Sequence, residues 1–82
     1  MTNKLFVGNL SRGVRYAQLL KHFSLAGTVL SAQVILDRHG LGRGYGFVEM
    51  ATNEEAEKAK AILNHTEIDG MKIEVKEEKH QP

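Results

Sequence analysis

The residues best equipped for chemistry in this 82-residue chain are aromatic and basic. Phe6 stands in Leu5-Phe6-Val7-Gly8-Asn9-Leu10, while Tyr45 and Phe47 alternate with glycines in Arg43-Gly44-Tyr45-Gly46-Phe47-Val48-Glu49-Met50. Ring faces stack on other planar systems, and a guanidinium such as that of Arg43 makes directional bonds to oxyanions. Other chemistries lack their residues. No serine lies in G-x-S-x-G and no carboxylate pair is set among apolar residues, so no catalytic group is expected and the chain is not read as an enzyme. His22, His39, His65 and His80 have no ligand spacing and the chain has no cysteine, so neither metal nor cofactor is expected. The run Gly40-x-Gly42-x-Gly44-x-Gly46 places Tyr45 and Phe47 where G-x-G-x-x-G needs its third glycine, and no Gly-Lys-Ser/Thr follows. It reads as a flexible loop entering a strand.

The elements that must position these residues are legible from periodicity. Lys4 to Asn9 alternates around Leu5 and Val7, as a strand does. Tyr16, Leu19, Leu20 and Phe23 follow helical spacing, with Arg15 at the N-cap, a poor capping residue whose charge opposes the dipole. Gly27 is placed to stop that helix in a left-handed turn. Val29 to Leu36 reads as a strand ending in the loop Asp37-Arg38-His39-Gly40-Leu41-Gly42, and Arg43 to Met50 as the next strand. Thr52 and Glu55 match a capping box, ahead of a helix whose apolar face is Ala56, Ala59, Ile62 and Leu63. Asp69-Gly70 signals a tight turn, and Ile73 and Val75 alternate with Lys72, Glu74 and Lys76 in a last strand. The order βαββαβ predicts an α+β, ferredoxin-like sandwich, a four-stranded antiparallel sheet with two helices on one face.

Two helices leave the other face of the sheet open, and alternation decides what appears there. Burying Val48 and Met50 turns Arg43, Tyr45, Phe47 and Glu49 outward, with Gly44 and Gly46 leaving the inward face uncluttered. Burying Leu5 and Val7 turns Phe6 outward beside Lys4 and Gly8. The chain has three Phe, two Tyr and no Trp, so most of its aromatic rings would be displayed. A small domain has little reason to expose rings unless they bind something.

The two segments carrying these rings resemble the hexamer and octamer motifs of the RNA recognition motif family. The octamer resembles K/R-G-F/Y-G/A-F-V-x-F/Y and departs only at Met50, an inward position usually aromatic, and His65, after Asn64, stands where the family commonly has a left-handed Gly. The resemblance covers about residues 4–76, within a single domain of residues 1–82 whose residues 77–82 form a short polar tail. It implies single-stranded RNA binding on the sheet. By position, Phe6 and Tyr45 would each stack a base, Phe47 would lie against the sugars, and Arg43 would meet phosphate. Lys4, Asn9, Gln33, Arg38, Lys72 and Lys76 complete the set expected to meet RNA, and Glu49 and Glu74 share the face. Single-stranded DNA, or a protein partner in place of nucleic acid, would use the same fold; the intact rings favour nucleic acid.

Composition is compatible with this reading. With 41% hydrophobic and 26% charged residues the chain is ordinary globular, and no apolar stretch is long enough to span a membrane. Met1 to Lys4 lacks a signal-peptide pattern, and the absence of cysteine suits a reduced compartment. The expected setting is a monomer in the cytoplasm if the chain is a stand-alone bacterial protein, or in nucleus or cytoplasm if it is a module of a eukaryotic one. The net charge of +1 hides an asymmetry. Met1 to Arg43 holds six Lys/Arg against one Asp, and Gly44 to Pro82 five Lys against nine Asp/Glu. Stacking with few phosphate contacts is therefore expected, and weak binding to duplexes.

Overall fold

A computed structural model describes residues 2–78. In chain order it contains β1 (Lys4–Gly8), α1 (Tyr16–Phe23), β2 (Val29–Leu36), β3 (Gly42–Met50), α2 (Asn53–Leu63), β4 (Glu67–Ile68), β5 (Met71–Lys72) and β6 (Glu74–Glu77). The main sheet has the order β2-β3-β1-β6, with antiparallel neighbours throughout. The expected βαββαβ architecture holds, with one addition. β4 and β5 form a separate two-stranded hairpin around Asp69 (φ 54°) and Gly70 (φ 80°), the doubly left-handed turn that Asp-Gly favours.

That hairpin corrects the last strand. The Ile73 N–H donates to the Thr66 carbonyl and the His65 N–H to the Ile73 carbonyl, both at 2.8 Å. His65 is left-handed (φ 70°), as expected. Ile73 is thus tied to the turn after α2, and the chain joins β1 only from Glu74, leaving Lys72 off the main sheet. The far end is longer than expected. Glu77 pairs with Leu5 and the Glu78 N–H donates to the Lys4 carbonyl at 3.0 Å, so these two residues continue the sheet. Residues 79–82 of the expected tail lie outside the described residues.

Alternation fills the core: Leu5 and Val7 from β1, Val48 and Met50 from β3, and Val75 from β6 meet Leu19 and Phe23 of α1 and Ala56, Ala59 and Leu63 of α2. Each large apolar side chain in this layer contributes about 1.5–3 kcal/mol by its burial. Three helix residues expected inside are not. Tyr16, Leu20 and Ile62 are exposed, because each helix buries a narrower stripe, Leu19–Phe23 in α1 and Ala56–Ala59–Leu63 in α2. Leu20 and Ile62 each lie one residue, about 100° of helical rotation, from a buried leucine.

Two end signals are resolved differently from expectation. α1 stops at Ser24, which is right-handed (φ −64°), with its N–H and Oγ both donating to the Leu20 carbonyl. Gly27 has another role: a Cβ there would fall on the Glu55 carboxylate. That carboxylate accepts the Thr28 N–H, so only half of the α2 capping box forms, with Thr52 Oγ1 accepting the Glu55 N–H at 3.0 Å. Across the fold, His22 Nε2 lies 2.8 Å from Thr66 Oγ1, and that hydroxyl donates to the Leu63 carbonyl at 2.6 Å. The hydroxyl oxygen is left to accept, so the imidazole donates through Nε2.

Burial holds the His22 pKa below its ordinary value. The unfolded chain therefore binds this proton more readily. Stability from His22 is complete above the ordinary value of about 6.5 and is lost as pH falls from there through the lowered folded value. Urea midpoints measured from about pH 7.5 to about pH 5 should fall more steeply for the wild type than for His22→Gln. Parallel pH dependences would contradict this placement.

Candidate nucleic-acid interface

The register of the central strands brings the outward residues into rows. Ser31, Glu49 and Lys4 are cross-strand neighbours in one row. The next holds Gln33, Phe47, Phe6 and Lys76, and the third Tyr45, Gly8 and Glu74. No helix covers these rows, since α1 and α2 pack on the face that carries Leu5, Val7 and Val48.

The three rings form one cluster. Phe6 and Tyr45 have centroids 5.8 Å apart with planes 29° from parallel. Phe47 meets Phe6 edge-on at 5.9 Å and Tyr45 at 6.0 Å. All three are half-buried, each supported by its neighbours while keeping surface open to solvent. Edge-to-face contacts of this kind hold rings in defined poses at about 0.5–1.5 kcal/mol per pair.

Backbone geometry explains the interleaved glycines better than helix packing does. Gly44 is at φ 92°, where side chains are strained. At Gly46 a Cβ would fall on the Gln33 carbonyl oxygen of β2, so β3 can approach β2 only without one. Gly8 serves the face directly. A Cβ there would lie 2.9 Å from Phe6 Cε1, so the Phe6 ring leans over the bare Gly8 backbone toward Tyr45.

Basic residues gather at the end of the sheet where β2 turns into β3. Asp37 organises that loop, its Oδ1 accepting the N–H groups of His39 at 2.8 Å and Leu41 at 3.0 Å. The Leu41 amide, then that of His39, holds the Asp37 carboxyl below the usual range; slight burial opposes them, and the Arg12 and Arg43 charges lower it further. The Arg15 guanidinium donates to the carbonyls of Arg12 at 2.9 Å, Val14 at 3.0 Å and Gly40 at 2.9 Å. It clamps two loops together instead of standing over the helix end, while Gln18 Oε1 accepts the Arg15 N–H at 3.0 Å. Arg12 and Arg38 stay exposed near Arg43 at this end.

The expected site residues are thus distributed unevenly. Phe6, Tyr45, Phe47, Lys4, Gln33 and Lys76 share the open face, with Arg43 and Arg38 at its basic end. Asn9 is left-handed (φ 59°) and its Nδ2 donates to the Lys72 carbonyl at 2.6 Å, so its amide joins β1 to the hairpin. Lys72 is exposed on that hairpin, beside the main sheet and not in it. Among the described residues the ion pairs join Lys60 to Glu57 and Glu77, leaving the cations of the face available to an anion. Asn3, Ser31 and Arg12 join the site without having been expected. Ser31 lies two residues before Gln33 on β2, within reach of period-2 alternation, whereas Asn3 and Arg12 are brought in by long-range contacts.

This is the architecture of a known family. The RNA recognition motif matches residues 5–74, and the chain belongs to that family. It is 42% identical over 81 residues to the 29 kDa ribonucleoprotein, chloroplastic, of Arabidopsis thaliana, covering 98% of this chain and 24% of that protein. It is 43% identical over 76 residues to Glycine-rich RNA-binding protein 1 of Mycosarcoma maydis, covering 92% and 43%. The chain therefore spans less than half the length of these relatives. Among solved structures it resembles RNA Binding Protein PG1, with 40% identity, a TM-score of 0.88 and 99% of both chains covered. A Sex-lethal protein/RNA complex shares the fold at 19% identity and a TM-score of 0.92, over all of this chain and 50% of that one.

The glycines give a contrast that stability and ring spectroscopy can check. Gly46→Ala sets a Cβ against backbone and should destabilise the fold by about 1–3 kcal/mol or more. Gly8→Ala meets only the end of a side chain, so it should leave stability within about 1 kcal/mol while shifting the Phe6 ring resonances. Equal losses of stability in the two variants would contradict the assignment.

Proposed function

We propose that the chain binds single-stranded RNA across the open sheet face, with about two or three bases stacked on its rings. The observation that carries this is the cluster of three half-buried rings, in mutual contact, on a sheet face that no helix covers. Phe6 and Tyr45 present planes for successive bases, and Phe47 packs edge-on between them against the sugars. Arg43, with Arg38 beside it, meets phosphate at the basic end, and Lys4 and Lys76 flank the rings on β1 and β6. Unpaired bases expose the π-faces such a platform needs, and duplexes do not. Single-stranded DNA would stack equally, since the rings do not read the 2′-hydroxyl.

Binding is the activity, with no catalytic step, no cofactor and no metal, and a monomer suffices for it. Among the described residues no helix is long and apolar enough to cross a membrane, and no group of three or more His, Cys, Asp or Glu is placed to hold a metal ion. The compartment follows the source cell: the cytoplasm for a bacterial protein, the nucleus or cytoplasm for a eukaryotic one, and the chloroplast for a protein like the plant relatives.

Phe6→Ala and Tyr45→Ala should each weaken binding of a short single-stranded RNA by about 1–3 kcal/mol while the fold persists. Unchanged affinity in both would remove the stacking mechanism. With about two to four phosphate contacts, the slope of log affinity on log salt should lie near −1.4 to −2.8, and Arg43→Ala should flatten it. A salt-independent affinity would contradict the role given to Arg43.

A further inference from the structure

At the end of the face opposite the basic loops, a cleft of about 290 Å³ opens beside Phe47, bounded by Lys4, Ser31, Gln33, Glu49 and Glu78. Glu49 is central to it, in register between Ser31 on β2 and Lys4 on β1. Its carboxylate is held from both sides. Asn3 Nδ2 donates to Oε2 at 3.2 Å and also to the Met50 carbonyl at 2.8 Å, and Ser31 Oγ donates to Oε1 at 3.5 Å. A carboxylate has about four acceptor positions, so each oxygen keeps one for a ligand. Two carboxylates, Glu49 and Glu78, stand against the single cation of Lys4, so the cleft favours the donor groups of a base over phosphate.

We propose that this cleft is a guanine site, in which the Glu49 carboxylate accepts N1–H and N2–H of one unpaired guanine; the proposal rests on the RNA-binding reading above. Guanine alone among the four bases presents two neighbouring donors on its Watson–Crick edge, a match to two parallel carboxylate oxygens. Adenine and cytosine set a ring-nitrogen acceptor beside their amino group, and uracil flanks its single N3–H with two carbonyls. Each of these brings a lone pair against the carboxylate. That edge is free in a single strand. Phe47 supplies an aromatic wall, and Gln33 and Lys4 supply donors for O6 and N7. Asn3 is a positioning residue, fixing the carboxylate through its second bond to the Met50 carbonyl.

The test titrates the full chain with the pentamers UUGUU, UUAUU, UUCUU, UUUUU and UUIUU, in which inosine keeps N1–H and lacks the N2 amino group. In a uniform background the strand can slide until its odd base finds the cleft. The wild type should bind UUGUU on the order of tenfold more tightly than UUUUU, UUAUU or UUCUU, with UUIUU between. Glu49→Gln, close to isosteric, should erase that preference while keeping or raising affinity for UUUUU. Asn3→Ala should narrow the preference for UUGUU over UUUUU. Equal binding of all five RNAs, or a preference for A, C or U, would overturn the guanine site and leave RNA binding standing, as would a guanine preference that survives Glu49→Gln. Failure of every pentamer to bind would overturn the RNA reading itself, and the guanine site with it.

Discussion

The antiparallel pairing of β1 with β3 is the contact on which the rest of the molecule depends. Leu5 opposite Val48 and Phe6 opposite Phe47 set adjacent rows on opposite faces of the same two strands. The first row goes into the core with Val7 and Met50, and the second stands outside with Tyr45. A slip of one residue would exchange the faces, exposing aliphatic side chains and burying the rings. The same register that stabilises the fold therefore builds the aromatic platform. β1 and β3 are the two central strands, so the platform sits mid-sheet with β2 and β6 as its margins.

The margins differ in charge, and this gives the face a polarity. At the end where β2 turns into β3, Asp37 orders the loop, and Arg15 and Arg12 tie it to the segment before α1. Arg43 and Arg38 stand exposed there. At the other end Glu49 and Glu78 line a cleft with Lys4 as its single cation. The acidic residues are spread more widely: Glu54, Glu55 and Glu57 lie on α2, while Glu49 and Glu74 share the open face with the rings. On the proposed function, electrostatics would position the strand and stacking would supply most of the affinity.

Much of this is local and so was legible in the sequence. Period-2 alternation alone assigned Phe6, Tyr45 and Phe47 to one face and Leu5, Val7, Val48 and Met50 to the other. Thr52 as a cap, the Asp69-Gly70 turn and left-handed His65 are likewise set by neighbours a few residues away. What escaped depends on contacts between distant segments. Glu55 abandons its half of the capping box for the Thr28 amide, and that contact, not a helix stop, explains Gly27. Asn9 spends its amide on the Lys72 carbonyl, and Ile73 is held by the turn after α2, which removes Lys72 from the sheet. Tyr16, Leu20 and Ile62 fit a helical stripe yet stay exposed, because periodicity gives the direction of a buried face and not its width.

The central claim is that nucleic acid lies on the sheet and not on the helices. The most direct measurement is a titration of the isotopically labelled chain with a short single-stranded RNA, following backbone amide and aromatic ring resonances together. The account predicts that the Phe6, Tyr45 and Phe47 ring signals and the amides of β1 and β3 move in a saturable way, while those of α1 and α2 stay in place. Movement confined to α1 and α2, with the three rings unperturbed, would contradict it.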